Sequence, residues 1–74
     1  MNFEEEILEI AKRVLKTDQV DLSTNRENID EWDSLAHLQI ISEVEDKFDI
    51  SIPFEEVPDI KSLSDFLKYI ERSK

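Results

Sequence analysis

Asp33, Ser34 and His37 bring an acid, a hydroxyl and the chain's single imidazole together within one helical turn, the raw materials of nucleophilic catalysis. A serine nucleophile needs a base that reaches its Oγ and a third group that orients the base. Here the acid is the serine's own neighbour, and the imidazole follows three positions later on what reads as the solvent face of the same helix. A working triad therefore fails on geometry. Paired carboxylates for acid–base chemistry fail too, because they need a pocket with divergent environments that a small domain has little room to build. No catalytic residue is assigned, and the chain is not read as an enzyme. Ser34 keeps two other readings. Ser34 or Asp33 can cap the helix that follows, or the hydroxyl can carry an attached anion, which would meet free backbone N–H groups and the positive end of the helix dipole. Position alone leaves both open.

Composition narrows the field around that hydroxyl. The 74 residues include no Gly and no Cys. Phosphate-cradling glycine loops, dinucleotide fingerprints and calcium-binding loops each need a residue without Cβ at set positions, so those nucleotide and metal classes are excluded. Without Cys there is no thiolate, disulfide or zinc ribbon, and one His makes no metal site. No metal is expected. The N-terminus lacks a signal-peptide pattern and no apolar run approaches membrane-spanning length, so a soluble, cytoplasmic protein without membrane insertion is expected. The formal charge of −10 is also concentrated. Between Glu27 and Asp59 there are eleven acids and one base, Lys47, while the rest of the chain balances. Such a surface repels nucleic acid and anionic membranes and suits a basic protein partner.

The elements that must position these groups follow from apolar spacing. Asn2 as cap with Glu5 three residues later, then Phe3, Ile7, Ile10, Ala11 and Val14, predict a first helix over about 3–16. Residues 17–32 carry no sustained period. Val20, Leu22, Ile29 and Trp32 predict a long ordered loop pinned to the core at intervals. Leu35, Leu38, Ile41, Val44 and Phe48 predict a second helix over about 34–48, with His37, Gln39, Glu43, Glu45, Asp46 and Lys47 on its other side. Ile50-Ser51-Ile52 reads as a packed connection, and Pro53 and Pro58 bracket a short helix. Ser62 to Asp65 forms a capping box that opens a last helix over about 63–72. The expected fold is all-α: a small four-helix bundle of three main helices and one short one, with a long first loop, in a single domain over residues 1–74. At this size the core buries about 60–65% of the unfolded chain's surface, so stability is marginal.

Asp33-Ser34-Leu35 at the start of an amphipathic helix resembles the attachment motif of the acyl carrier proteins. The likeness runs without a gap from Leu38 through Asp49, then through Ile52-Pro53, Glu55-Glu56, Ile60 and Leu63 to Tyr69-Ile70, and so covers essentially the whole chain. It implies that a phosphopantetheinyl transferase moves 4′-phosphopantetheine from coenzyme A onto Ser34. The arm's thiol would then hold acyl groups as thioesters, so that the protein needs no cysteine of its own. Asp33 would help the transferase and other partners engage, and Asp33 and Leu35 would stand with Ser34 as the cofactor-binding residues of the motif. Gln39, Ser42, Glu43, Glu45 and Asp46 would form the face of helix 2 that meets basic patches on acyl-loading and acyl-using enzymes, most directly in fatty-acid or related lipid or polyketide-type biosynthesis. Leu38, Val57 and Ile60 match positions near the mouth of the family's acyl cleft, and each also reads as ordinary core packing. A monomer is expected.

The motif departs from the commonest fatty-acid carriers. Glu31-Trp32 stands where Gly is frequent before the serine motif, and Ala36 and Gln39 stand where acids are frequent after it. The Trp-Asp-Ser-Leu form is more similar to stand-alone carriers of aminoacyl, D-alanyl or hydroxyacyl groups. A reading from another class, an acidic helical adaptor that is never modified, predicts partner binding indifferent to Ser34.

Overall fold

The computed structural model describes residues 3–72. Three α-helices form the frame: α1 (Phe3–Leu15), α2 (Ser34–Phe48) and α3 (Asp65–Arg72). Two 3-10 segments, Arg26–Asn28 and Phe54–Asp59, lie in the connections. The all-α bundle expected from the spacing is the observed architecture, and no β-strand occurs among the described residues. The expected cap Asn2 lies outside them.

In α1 the residues at helical spacing, Ile7, Ile10, Ala11 and Leu15, are buried together. Glu4, Glu5 and Glu6 stand in the first turn and Lys12 and Arg13 in the last, as the helix dipole favours. The core closes on Ile40, Ile41 and Val44 of α2 and on Phe66 and Ile70 of α3. Leu63 and Ile60 fill the space before α3, and Ile50 and Ile52 tuck in while Ser51 points outward. The packed connection expected at 50–52 is what is found.

Lacking glycine, the chain ends its first two helices with other residues in the left-handed region. Lys16 (φ 58°) follows α1, and Asp49 (φ 56°, ψ 51°) follows α2. At Asp49 its own N–H and that of Ile50 both donate to Glu45 O, the pattern of a helix that stops by reversing hand. α3 begins at Asp65, two residues later than expected. The Asp65 carboxylate turns back to accept from the N–H groups of Lys61 and Ser62 (2.8 and 3.1 Å), so Ser62, Leu63 and Ser64 lie before the helix and Asp65 opens it.

The long loop is ordered by backbone as well as by its apolar anchors. Val20 and Trp32 are buried, and Leu22 and Ile29 pack against the core. Arg26 N–H donates to Lys61 O (2.8 Å), Ser64 N–H donates to Leu22 O (3.0 Å), and Asn25 bridges Ser62. The loop is thereby stapled to the segment leading into α3.

Two expectations about α2 are corrected. Leu35 and Leu38, assigned to the inner stripe, are 75% and 51% exposed, whereas His37, assigned to the solvent side, is 3% exposed. The buried stripe is Ala36, His37, Ile40, Ile41 and Val44. Leu35 precedes Val44 by nine positions, about half a turn around the helix, and so faces away from the core.

Candidate functional site

Ser34 is exposed and is the first residue of α2. The capping alternatives resolve in favour of Asp33. Its Oδ1 accepts from Ala36 N–H (2.9 Å), and its backbone carbonyl accepts the first helical bond, from His37 N–H (2.9 Å). Among the described residues nothing bonds to Ser34 Oγ, and the N–H groups of Ser34 and Leu35 have no acceptor within the fold. A hydroxyl that caps would be occupied; this one is free, with two unsatisfied donors and the positive end of a fifteen-residue helix beside it.

Behind Ser34, α2 is fixed by a buried polar relay. Trp32 Nε1–H donates to His37 Nδ1 (3.0 Å), and His37 Nε2 lies 2.9 Å from the Val57 carbonyl oxygen. An indole nitrogen can only donate and a carbonyl can only accept, so the imidazole carries its proton on Nε2 and donates it to Val57. Both ring nitrogens are satisfied and the ring is neutral. Burial holds its pKa below the ordinary value, and the Arg26 charge pushes the same way, against the Val57 hydrogen bond, which pushes it up. The relay joins the loop, α2 and the Phe54–Asp59 segment immediately behind the free hydroxyl. It also anchors Trp32, which is 4% exposed, by its polar edge as well as its rings.

A groove of about 340 Å³ opens beside Ser34 between α2 and the Phe54–Asp59 segment. Leu38, Phe54, Val57 and Pro58 give it apolar walls, and Arg26 reaches it from the loop. Leu38 and Val57 of the expected acyl-cleft set come together here, whereas Ile60 is 1% exposed and packs in the core. Phe54 is 84% exposed at the rim. A larger hollow of about 580 Å³ lies under the loop among Thr17, Asp21, Asp30 and Glu31 and does not adjoin Ser34.

Along α2 the expected partner face divides. Gln39, Ser42 and Asp46 are exposed. Glu43 is paired with Arg13 of α1, and Glu45 accepts from Ile52 N–H (2.7 Å). Three features are missed by reasoning from sequence: the Trp32–His37–Val57 relay, Phe54 at the rim and Arg26 in the groove. Only Arg26 has a signal, as the one base in the long loop.

Comparison with known proteins gives the family. A family model described as a phosphopantetheine attachment site matches residues 5–70. The chain is 41% identical over 58 residues to a D-alanyl carrier protein of Listeria monocytogenes, covering 76% of this chain and 74% of that protein. It is 40% identical over 57 residues to an acyl carrier protein of Lactococcus lactis, covering 77% and 74%. Among solved structures it is similar to a candidate acyl carrier protein from Mycobacterium tuberculosis, with a TM-score of 0.87 and 31% identity over 99% of this chain and 100% of that one. The solution structure of a holo acyl carrier protein from Geobacter metallireducens gives 0.81 and 26% over 97% and 85%.

Proposed function

The chain belongs to the phosphopantetheine-attachment family, and we propose that it acts as a carrier whose 4′-phosphopantetheine arm is attached at Ser34. The observation that carries this reading is the free Ser34 hydroxyl at the start of α2, left exposed because Asp33 has taken the cap. The site fits the group: the phosphate of an arm on Oγ would face the unsatisfied N–H groups of Ser34 and Leu35. In attachment, Ser34 Oγ forms a bond to the phosphorus that bears pantetheine in coenzyme A. The bond from that phosphorus to the adenosine bisphosphate portion breaks, and the serine proton leaves to the transferase or solvent. The arm's thiol supplies thioester chemistry. The chain's own residues supply the attachment point, its orientation and the surface that partners meet, and no turnover by the chain alone is expected.

Asp33 and Leu35 flank the attachment point. Leu35, turned out of the core, offers an apolar contact to the transferase, while Asp33 holds the helix start in shape. The docking face is Gln39, Ser42 and Asp46, with Glu43 and Glu45 adding negative field although their carboxylates also hold Arg13 and Ile52. Leu38, Val57 and Ile60 remain the residues assigned to the acyl cleft, the first two as groove wall and Ile60 as the packing beneath it. Exposed ion pairs contribute about 0.2–1 kcal/mol each, so partner enzymes with basic patches would dock weakly, quickly and with strong salt dependence. No helix of the described residues is long and apolar enough to cross a membrane, and we place the carrier in the cytoplasm as a monomeric single domain over residues 1–74. D-alanyl and acyl carriers stand equally near in sequence, so the reading covers fatty-acid or related lipid or polyketide-type acyl groups and the specialised aminoacyl, D-alanyl and hydroxyacyl cargoes alike.

Incubation with coenzyme A, magnesium and a broad-specificity phosphopantetheinyl transferase is expected to add the mass of one phosphopantetheine. Ser34→Ala is expected to abolish the gain. An unchanged mass in the wild-type chain overturns the proposal and favours the unmodified adaptor.

A further inference from the structure

Resting on Ser34 as the attachment point, we propose that Arg26 is the anion-holding residue of the groove beside it, reserved for a negatively charged oxygen group tethered through that serine. The groove's other groups leave this task to Arg26. Its walls at Leu38, Phe54, Val57 and Pro58 are apolar. His37 also lines it, but both ring nitrogens are occupied, by Trp32 and by Val57. Ser34 Oγ is the tether itself. Arg26 is the one charged residue in the lining, and a guanidinium carries five donors in a planar fork that matches carboxylate and phosphate oxygens.

Those donors are little used by the fold. Among the described residues the sole side-chain hydrogen bond of Arg26 is from Nη2 to Pro58 O at 3.5 Å, the outer limit for such a bond. No carboxylate lies within ion-pairing distance of it among the described residues, although eleven acids stand between Glu27 and Asp59. Arg13 and Lys47, by contrast, are paired with Glu43 and Glu6. The backbone at Arg26 is nevertheless fixed. Its backbone N–H donates to Lys61 O (2.8 Å), and Asn25 caps its turn by accepting from Glu27 N–H (2.9 Å). A half-buried arginine anchored through its backbone beside apolar walls, with no acid paired to it among the described residues, leaves its donors available for an anion from outside the fold. Low polarity around it strengthens the pairing relative to open solvent.

Two groups tethered at Ser34 share that chemistry: the phosphodiester of the arm, and a carboxylate at the far end of a carried dicarboxylic acid. An ammonium-bearing aminoacyl cargo would be repelled from the groove. The transferase can install the arm with its cargo already in place from the corresponding acyl-coenzyme A, so apo, holo, pentanoyl and glutaryl forms can be compared directly. The Arg26 Nε–H resonance and the thermal midpoint are the readouts. A resonance shift on passing from apo to holo, kept in both acylated forms, supports the proposal with the phosphodiester as ligand. A shift confined to the glutaryl form supports it with the carboxylate as ligand. In either case the matching form should melt roughly 2–5 °C higher than its uncharged counterpart, and Arg26→Gln should erase that increment while Ser34 is still modified. Where glutamine weakens the fold, Arg26→Lys provides the second variant and should keep part of the increment. Mass gain with an Arg26 signal identical in all four forms overturns the proposal alone. Absence of mass gain overturns the attachment reading and this one with it.

Discussion

The two halves of α2 solve opposite problems. The C-terminal half is tied into the bundle by several side chains. Glu43 pairs with Arg13 of α1, Lys47 lies 3.3 Å from Glu6, and Glu45 holds Ile52 N–H at 2.7 Å. The Phe48 and Phe3 rings meet edge to face at 5.5 Å. The N-terminal half leaves Leu35 and Leu38 in solvent and, among the described residues, the Ser34 hydroxyl without a partner, and is held by Ala36 and Ile40 in the core, the Asp33 cap and one buried imidazole. A helix that must present a reactive hydroxyl and apolar contacts cannot also use them to pack. Its hold on the fold passes instead to groups hidden behind the site, while the charged groups that look most like docking residues at the far end partly serve α1 and the 50–52 connection. Fixing the helix and exposing its first turn are thus separable, and changes in each half should act differently.

The largest test of that separation is His37→Leu. Leucine occupies a comparable volume but leaves Trp32 Nε1–H and the Val57 carbonyl without partners, each costing about 1–3 kcal/mol when buried. A loss of roughly 2–5 kcal/mol is expected in urea unfolding, a large share of the stability of a domain this small. If the relay is a hold on the fold and no part of the chemistry, the folded fraction of His37→Leu should still be modified at Ser34 by the transferase. A variant that stays fully stable would show that the relay does not hold the fold. One that is stable but cannot be modified would join the two roles in a single device.

A smaller effect should appear with pH. The unfolded imidazole titrates near its ordinary value of about 6.5, and burial lowers it in the fold. The unfolded state therefore binds more protons between the folded and unfolded values, so stability rises with pH across that window. The contribution of His37 is fully present above about pH 6.5 and is lost as pH falls through the folded value. Urea midpoints from pH 8 to pH 5 should thus draw the wild type and His37→Leu closer together as pH falls, since acid-side losses at carboxylates are common to both. A constant gap would mean that the ring is not held neutral.

The same division separates what the residues disclose by type and spacing from what they do not. The helices, the ordered loop and the packed 50–52 connection are legible because apolar spacing and caps act over a few residues, and Ser34 is legible because its motif is contiguous. The inner face of α2 is misread at its first turn alone. By residue type Leu35 and Leu38 belong inside and His37 outside, and Ala36 is too small to declare itself. The relay that reverses those assignments joins His37 to Trp32 five residues earlier and to Val57 twenty residues later. Hydrogen bonding across that span has no periodic signature. From Ile41 onward no such relay intervenes, and the expected and observed stripes share Ile41 and Val44.

The smallest expected effect lies at the other end of the comparison. Arg13 and Glu43 link α1 to α2, but the Arg13 side chain is mostly exposed and Glu43 is half-buried. An exposed pair is screened by water and salt, so Arg13→Ala should cost no more than about 0.5–1 kcal/mol, and less in high salt. Its second consequence is more informative. Releasing Glu43 returns a free carboxylate to the acidic face beside Gln39, Ser42 and Asp46 and removes a positive charge opposite it. Binding to a basic partner patch should therefore tighten slightly even as the fold weakens, with the gain in the association rate and suppressed by salt. Parallel losses of stability and partner binding in Arg13→Ala would show instead that the pair shapes the docking face, and that the two halves of α2 are less separable than their contacts indicate.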